Sequence, residues 1–269
     1  MSLFSDYPTI KKYISANRLR KYELVCNNDF RKSLKLYQAN VRLSQAFYPL
    51  LSMIEIIIRN AINEELISYF NDKDWLQNQI TGFMNDPKLN KFDKYTNAYV
   101  FDNFLQRSVQ NSIRDLGTKV NHDNIIADLK FGYWTKFYSV PCSKVLKNTP
   151  MRIFTNAPHT VGRNTINGKL NAIRDFRNRV YHNEPIIFDK DSKGDIIFDL
   201  NKSKLIYEDI KLIFSWLNLD YGKWTKRIDN IPFELKRAEH VFNHYPSKKY
   251  YFYRIKLGVT HYKKKYQPI

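Results

Sequence analysis

The chain has 269 residues, 43% of them hydrophobic, which allows one large or two small domains with a real core and excludes a disordered basic tail. Lys and Arg number 44 against 26 Asp and Glu, a formal charge of +18, and this excess predicts an anionic partner. Nucleic acid is favoured over a membrane surface, because the basic residues are interleaved with aromatics and not laid along one amphipathic helix.

Eight glycines suit a mainly helical chain better than a turn-rich sandwich. Met1 to Tyr22 is polar and basic, without the form of a secretory signal. No uninterrupted apolar stretch approaches the ~20 residues that span a bilayer, and Tyr48 to Ile58 is broken by Ser52 and Glu55. Cys26 and Cys142 offer neither metal spacing nor a disulfide framework, which suits a reducing, cytoplasmic setting.

Residues 1–28 read as a leader with a small helix, Ile10 to Leu19. A helical domain is expected over 29–235. Asp29 caps a helix to Phe47, and Pro49 then starts or kinks a second one, Leu50 to Phe70. The second helix carries Leu50, Leu51, Ile54, Ile57, Ile58, Ala61, Ile62 and Leu66, an apolar set broad enough for the centre of a core. Glu55 and Arg59 lie four apart on it, as an ion pair that fixes packing or as support for a site elsewhere. Asp72 to Pro87 reads as a loop anchored by Trp75. A third helix is expected over Asn97 to Leu116, with a break at Gly117. Asp123 caps a short helix, Asn124 to Leu129, leading into Phe131-Gly-Tyr-Trp134, and Pro150 to Gly162 is irregular.

Next come Ile166, Leu170, Ile173, Phe176 and Val180, spaced as one buried face of a helix. Pro185 disfavours helical geometry at Glu184 and ends this helix near His182 or Asn183. Arg177 projects from the side of the apolar stripe, so it either pairs with something or lines a cleft. Asn178 and His182 share a face, whereas Arg177 and His182, five apart, diverge by about 140°. Both can serve one atom only if the last turn loosens or a second copy supplies the other half across a two-fold axis. The one convincing strand pair is Ile186 to Phe188 with Ile196 to Phe198, and Ser203 then caps a helix to Leu217. Residues 236–269 form a basic, aromatic-rich C-terminal extension, with nine Lys and Arg against one acid. There, Lys248, Lys249, Arg254, Lys263, Lys264 and Lys265 are interleaved with tyrosines, the mixture that phosphate neutralisation and base stacking require.

The chemistry-bearing pattern is Arg177-Asn178 followed by His182. Two looser matches, Arg237 with His244 and Arg254 with His261, have no polar residue directly after the arginine. No Walker loop, zinc spacing or nucleophile context occurs, and no metal or cofactor is expected.

The run Ala172-Ile-Arg-Asp-Phe-Arg-Asn-Arg-Val-Tyr-His-Asn-Glu-Pro-Ile186 resembles the signature of the HEPN superfamily, whose ribonucleases carry Arg-polar-x3-to-5-His at a helix end. Ile54-Glu-Ile-Ile-Ile-Arg-Asn-Ala-Ile-Asn-Glu-Glu-Leu66 and Asp128-Leu-Lys-Phe-Gly-Tyr-Trp134 resemble its Abi-like (abortive infection, AbiD/AbiF-type) branch. The resemblance implies a mainly α, HEPN-like helical bundle with a small β-hairpin after the Arg-x4-His helix. It also implies a homodimeric, metal-independent endoribonuclease acting as a toxin or phage-defence effector. Its products would be a 2′,3′-cyclic phosphate and a 5′-hydroxyl. His182 would then be the acid/base, Arg177 the charge stabiliser and Asn178 the positioning residue, with Glu55 and Arg59 supporting and Arg174 and Arg179 contacting RNA. An antagonist, a non-coding RNA or a protein, is a further expectation. The rival reading is a non-catalytic RNA-binding protein using the same basic groove.

Overall fold

Apolar residues recurring at three- and four-residue steps give a mainly helical chain, as the sequence predicts. The structure is a computed structural model that describes residues 6–245 and the backbone of two further strands, Tyr250–Lys256 and Thr260–Tyr266. In chain order it contains α1 (Tyr7–Ile14), α2 (Ala16–Val25), α3 (Phe30–Phe70), α4 (Trp75–Asn78), β1 (Asn90–Asp93), β2 (Ala98–Phe101) and α5 (Phe104–Leu116). Then follow α6 (His122–Asp128), α7 (Phe131–Lys136), α8 (Val140–Val145), α9 (Arg163–Tyr181), β3 (Phe188–Lys190) and β4 (Ile196–Phe198). The series ends with α10 (Asn201–Trp216), α11 (Tyr221–Thr225), α12 (Ile231–His244), β5 (Tyr250–Lys256) and β6 (Thr260–Tyr266).

The two helices expected on either side of Pro49 are one, α3, with Pro49 inside it. An interior proline costs about 3 kcal/mol relative to alanine. Phe47, Leu50, Leu51 and Ile54 around it are all fully buried, and each is worth about 1.5–3 kcal/mol. Burial wins, and the helix runs on. Joined in this way, α3 is long and apolar enough to cross a membrane, which the sequence reading missed by ending a helix at Pro49. Its fully buried residues, Leu43, Phe47, Leu50, Leu51, Ile54, Ile58, Ile62 and Leu66, recur on one stripe, the pattern of a core helix.

The chain divides into two compact units. The first holds the described residues up to Leu50, Phe176–Glu208, and the described residues from Tyr221 onward. The second holds Leu51–Asp175 and Asp209–Asp220.

In the first unit a single helix Ile10 to Leu19 is replaced by α1 and α2, parted at Ser15, whose φ is +80°. Tyr22 packs edge-on against Tyr37 and Phe188, and Phe47 against Phe176 at 4.8 Å. The expected strand Ile186 to Phe188 begins only at Phe188, which pairs with Phe198. The reason lies in side chains: Ile186 N donates to the buried Asn40 Oδ1 at 2.8 Å, and Ile186 O accepts from Ser203 Oγ at 2.6 Å. Ser203 therefore does not cap α10, which starts at Asn201, where Asp199 Oδ1 accepts the backbone N–H at 2.5 Å.

The second unit is built on aromatics. Trp75, Trp134, Tyr133 and Phe137 are buried against one another, and Trp75 Nε1 donates to Asn63 Oδ1 at 2.9 Å. Trp75 is the anchor expected, although α4 and a 3-10 turn at Phe83–Asn85 occupy the expected loop. The helix predicted from Asn97 starts at Phe104, and the residues before it form the β1–β2 hairpin, turning at Asn97 with φ +49°. Among the described residues there are thus three two-stranded antiparallel sheets where the sequence suggests one. The cap of α6 is Asn121, which accepts from Asn124 N at 2.8 Å, and not Asp123, which lies inside the helix.

Candidate functional site

On α9, Ile166, Leu170, Ile173, Phe176 and Val180 are buried, as their spacing predicts. The helix then closes on a left-handed cap. Asn183 has φ +54°, its N–H donates to Val180 O at 3.1 Å, and Glu184 N donates to Arg179 O at 2.8 Å. These bonds form a Schellman motif with His182 as the C-cap, and asparagine is among the few residues that tolerate that φ. His182 N still donates to Asn178 O at 2.9 Å, so the last turn does not loosen. Three further contacts hold the cap. Arg18 Nη1 donates to Asn183 O at 2.8 Å, Arg179 Nη2 donates to Pro185 O at 2.5 Å, and Arg179 Nε lies 3.6 Å from Glu184. Arg179, expected to contact RNA, is here part of the closure of the helix.

Arg177 is half-buried, with its guanidinium carbon 4.0 Å from the centroid of the Tyr181 ring. Tyr181 stacks in turn with Tyr48 of α3, centroids 4.8 Å apart and planes 29° apart. Arg177 Nη1 also donates to Asn178 Oδ1 at 3.3 Å. Stacking engages the face of the guanidinium and directs its hydrogen bonding to the edge. Asn178 and His182 are exposed on adjacent turns of the same helix face. The structure therefore assembles Arg177, Asn178 and His182 at one helix end and adds Tyr181 and Tyr48. Tyr181 was available to sequence reading, since it lies four residues after Arg177, the spacing of a helical side-chain pair. Nothing local marks Tyr48.

Arg174 belongs to the second unit, where Nη1 donates to Asn171 Oδ1 at 2.8 Å and Thr135 Oγ1 at 3.3 Å, and Nη2 lies 2.9 Å from Asp175. Glu55 and Arg59 are also in that unit. There, Arg59 Nε donates to the adjacent Asn60 Oδ1 at 3.3 Å. Lys248 and Lys249 lie outside the described residues. Arg254 falls on β5 opposite Tyr262, and Lys263, Lys264 and Lys265 fall on β6 opposite Tyr253, Phe252 and Tyr251.

Charge is uneven between the units. The first carries 20 Lys and Arg against 12 Asp and Glu up to Tyr245, and the second carries 17 against 14. Among the described residues no group of three or more His, Cys, Asp or Glu could hold a metal ion.

The family description "Abi-like protein" matches residues 5–187, more than half of the chain, through the helix end and past Pro185. This chain belongs to the Abi-like protein family. Comparison with curated proteins and with solved structures gave no match. The span matched by the Abi-like family contains Arg177, Asn178, His182, Tyr181 and Tyr48, and stops before α10, α12 and the last hairpin.

Proposed function

We propose that this Abi-like protein is a HEPN-type endoribonuclease of the cytoplasm whose cleavage of RNA serves abortive infection. Family membership suggests the abortive-infection setting. The observation that carries the activity is the exposed imidazole of His182 on a tightly closed helix end, one turn from Asn178, with the Arg177 guanidinium stacked on Tyr181 of the same helix end.

In the reaction a ribose 2′-oxygen attacks the adjacent phosphorus as the bond from phosphorus to the 5′-oxygen breaks. A proton leaves the 2′-hydroxyl and another reaches the departing 5′-oxygen, giving a 2′,3′-cyclic phosphate and a 5′-hydroxyl. A histidine exchanges protons near neutral pH and supplies one of these transfers. Arg177 offers fixed donors to the charge that builds on the phosphorane oxygens. Asn178 orients the phosphate or the imidazole. Because the last turn stays helical, Arg177 and His182 keep their divergence of about 140°, and a second copy completes each site across a two-fold axis. The reading thus includes a homodimer, RNA as substrate and an RNA or protein antagonist.

The test is His182→Ala, measured for cleavage of RNA and for RNA binding by the full chain. Loss of cleavage by at least a hundredfold with binding retained is expected for a general acid or base. Unchanged cleavage removes His182 from the chemistry. Binding without cleavage in the wild type leaves the RNA-binding reading in its place.

A further inference from the structure

The β1–β2 hairpin of the second unit carries rings that the fold does not use. Phe92 faces Tyr99 across the ladder, edge to face at 5.5 Å, and Phe101 follows two residues on, on the same side of the pleat. Phe92 is 49% exposed, Tyr99 72%, Phe101 40%, and Tyr95 in the turn is wholly exposed. Phe104, at the start of α5, adds a fifth ring at 41%. Strands of four residues gain little stability from a surface left this open, since the exposed part of each ring buries no area.

Lys88, Lys91 and Lys94 are matched in number by Asp86, Asp93 and Asp102, but the lysines are the exposed charges around these rings. Lys88 and Lys94 are exposed, with no carboxylate partner among the described residues, and Lys91 is 58% exposed beside Asp102. The nearby acids are less exposed and already hold hydrogen bonds or an ion pair. Asp86 Oδ1 accepts from Lys88 N and Asp93 Oδ1 from Tyr95 N, both at 2.8 Å, while Asp102 is buried against Lys136 at 2.5 Å. The ring-bearing side of the ladder has Asn90 as its fourth member and no aliphatic residue. A lipid tail or an apolar helix would want aliphatic surface there. Flat rings, an amide and unpaired lysines suit nucleobases and phosphates.

We propose that the β1–β2 hairpin is a stacking platform for unpaired bases of a single-stranded nucleic acid, with Tyr95, Tyr99 and Phe92 under the bases and Lys88 and Lys94 at the phosphates. Rings two residues apart on a strand stand about 7 Å from one another, so the bases must be splayed, which a duplex does not allow. The inference rests on the reading that this protein binds RNA, and it names unpaired RNA as the class held.

Oligodeoxythymidylate is the probe, because it lacks the 2′-hydroxyl and cannot be cut by the proposed reaction. Its binding to the full chain is followed by fluorescence anisotropy over a range of salt, beside a fully paired RNA. Tyr95→Ala and Tyr99→Ala should each weaken oligodeoxythymidylate binding by roughly 5- to 100-fold and leave the slope of log affinity against log salt unchanged. Lys88→Ala with Lys94→Ala should flatten that slope, and Tyr99→Trp should keep the affinity. Paired RNA should bind alike in all ring variants. The proposal is overturned by wild-type affinity in Tyr95→Ala and Tyr99→Ala, by an equal loss with paired RNA, or by a wild type that does not bind the probe. RNA cleavage by His182 is scored separately, so either reading can fail while the other stands.

Discussion

Arg177 shows how one side chain is made specific by its neighbours. A lone guanidinium on a helix samples many rotamers, but here its face rests on Tyr181 and its edge reaches Asn178. A cation–π contact contributes about 0.5–2 kcal/mol. Tyr181→Leu should therefore slow RNA cleavage several-fold at saturating substrate, while Tyr181→Phe, which keeps the ring, should behave as wild type. Equal rates for Leu and Phe would show that the ring does not position Arg177. A second residue-scale effect sits in the other unit. His122 Nε2 lies 3.0 Å from Asn63 Oδ1, its Nδ1 is buried without a hydrogen bond, and Asn63 also accepts from Trp75. Burial lowers the His122 pKa below its usual value, against the opposing pull of Asp74, Asp123, Asp72 and Glu64. A histidine with a depressed folded pKa contributes fully above its unfolded pKa of about 6.5, and that contribution is lost as pH falls through the folded value. Urea unfolding should show the second unit weakening below pH 6.5, and His122→Gln should remove that part of the pH dependence.

At the scale of elements the helix end is the critical joint. Asn183 holds a left-handed conformation that asparagine and glycine accept and a β-branched residue does not. Asn183→Gly should leave thermal stability nearly unchanged. Asn183→Val should cost about 1–2 kcal/mol in chemical unfolding and lower cleavage as well, because the cap sets the place of His182. The sequence makes this joint visible through Pro185 and the apolar period of α9. The same kind of reasoning fails at Pro49, where local preference for a break is outweighed by Phe47, Leu50 and Leu51 in the core. It fails again at Asn97, where two four-residue strands carry too little alternation to be told from the start of α5. Arg177, Asn178 and His182 lie at one helix end, so their neighbourhood and the divergence of Arg177 from His182 were both legible. Tyr48 comes from α3, and only packing within the first unit brings it to Tyr181.

For the whole molecule, the proposed two-fold site has a consequence that single variants cannot reveal. Arg177→Ala and His182→Ala homodimers should each be inactive, yet mixed and re-equilibrated they should recover part of the wild-type cleavage, since half of the sites in the mixed dimer are intact. No recovery would place both residues of each site on one chain. The uneven charge of the two units also governs how a polyanion is met. With its surplus concentrated in the first unit, that unit supplies the larger share of the attraction in the proposed encounter with RNA. Added electrolyte then acts first on the frequency of productive encounters, before it touches the lifetime of what has been captured.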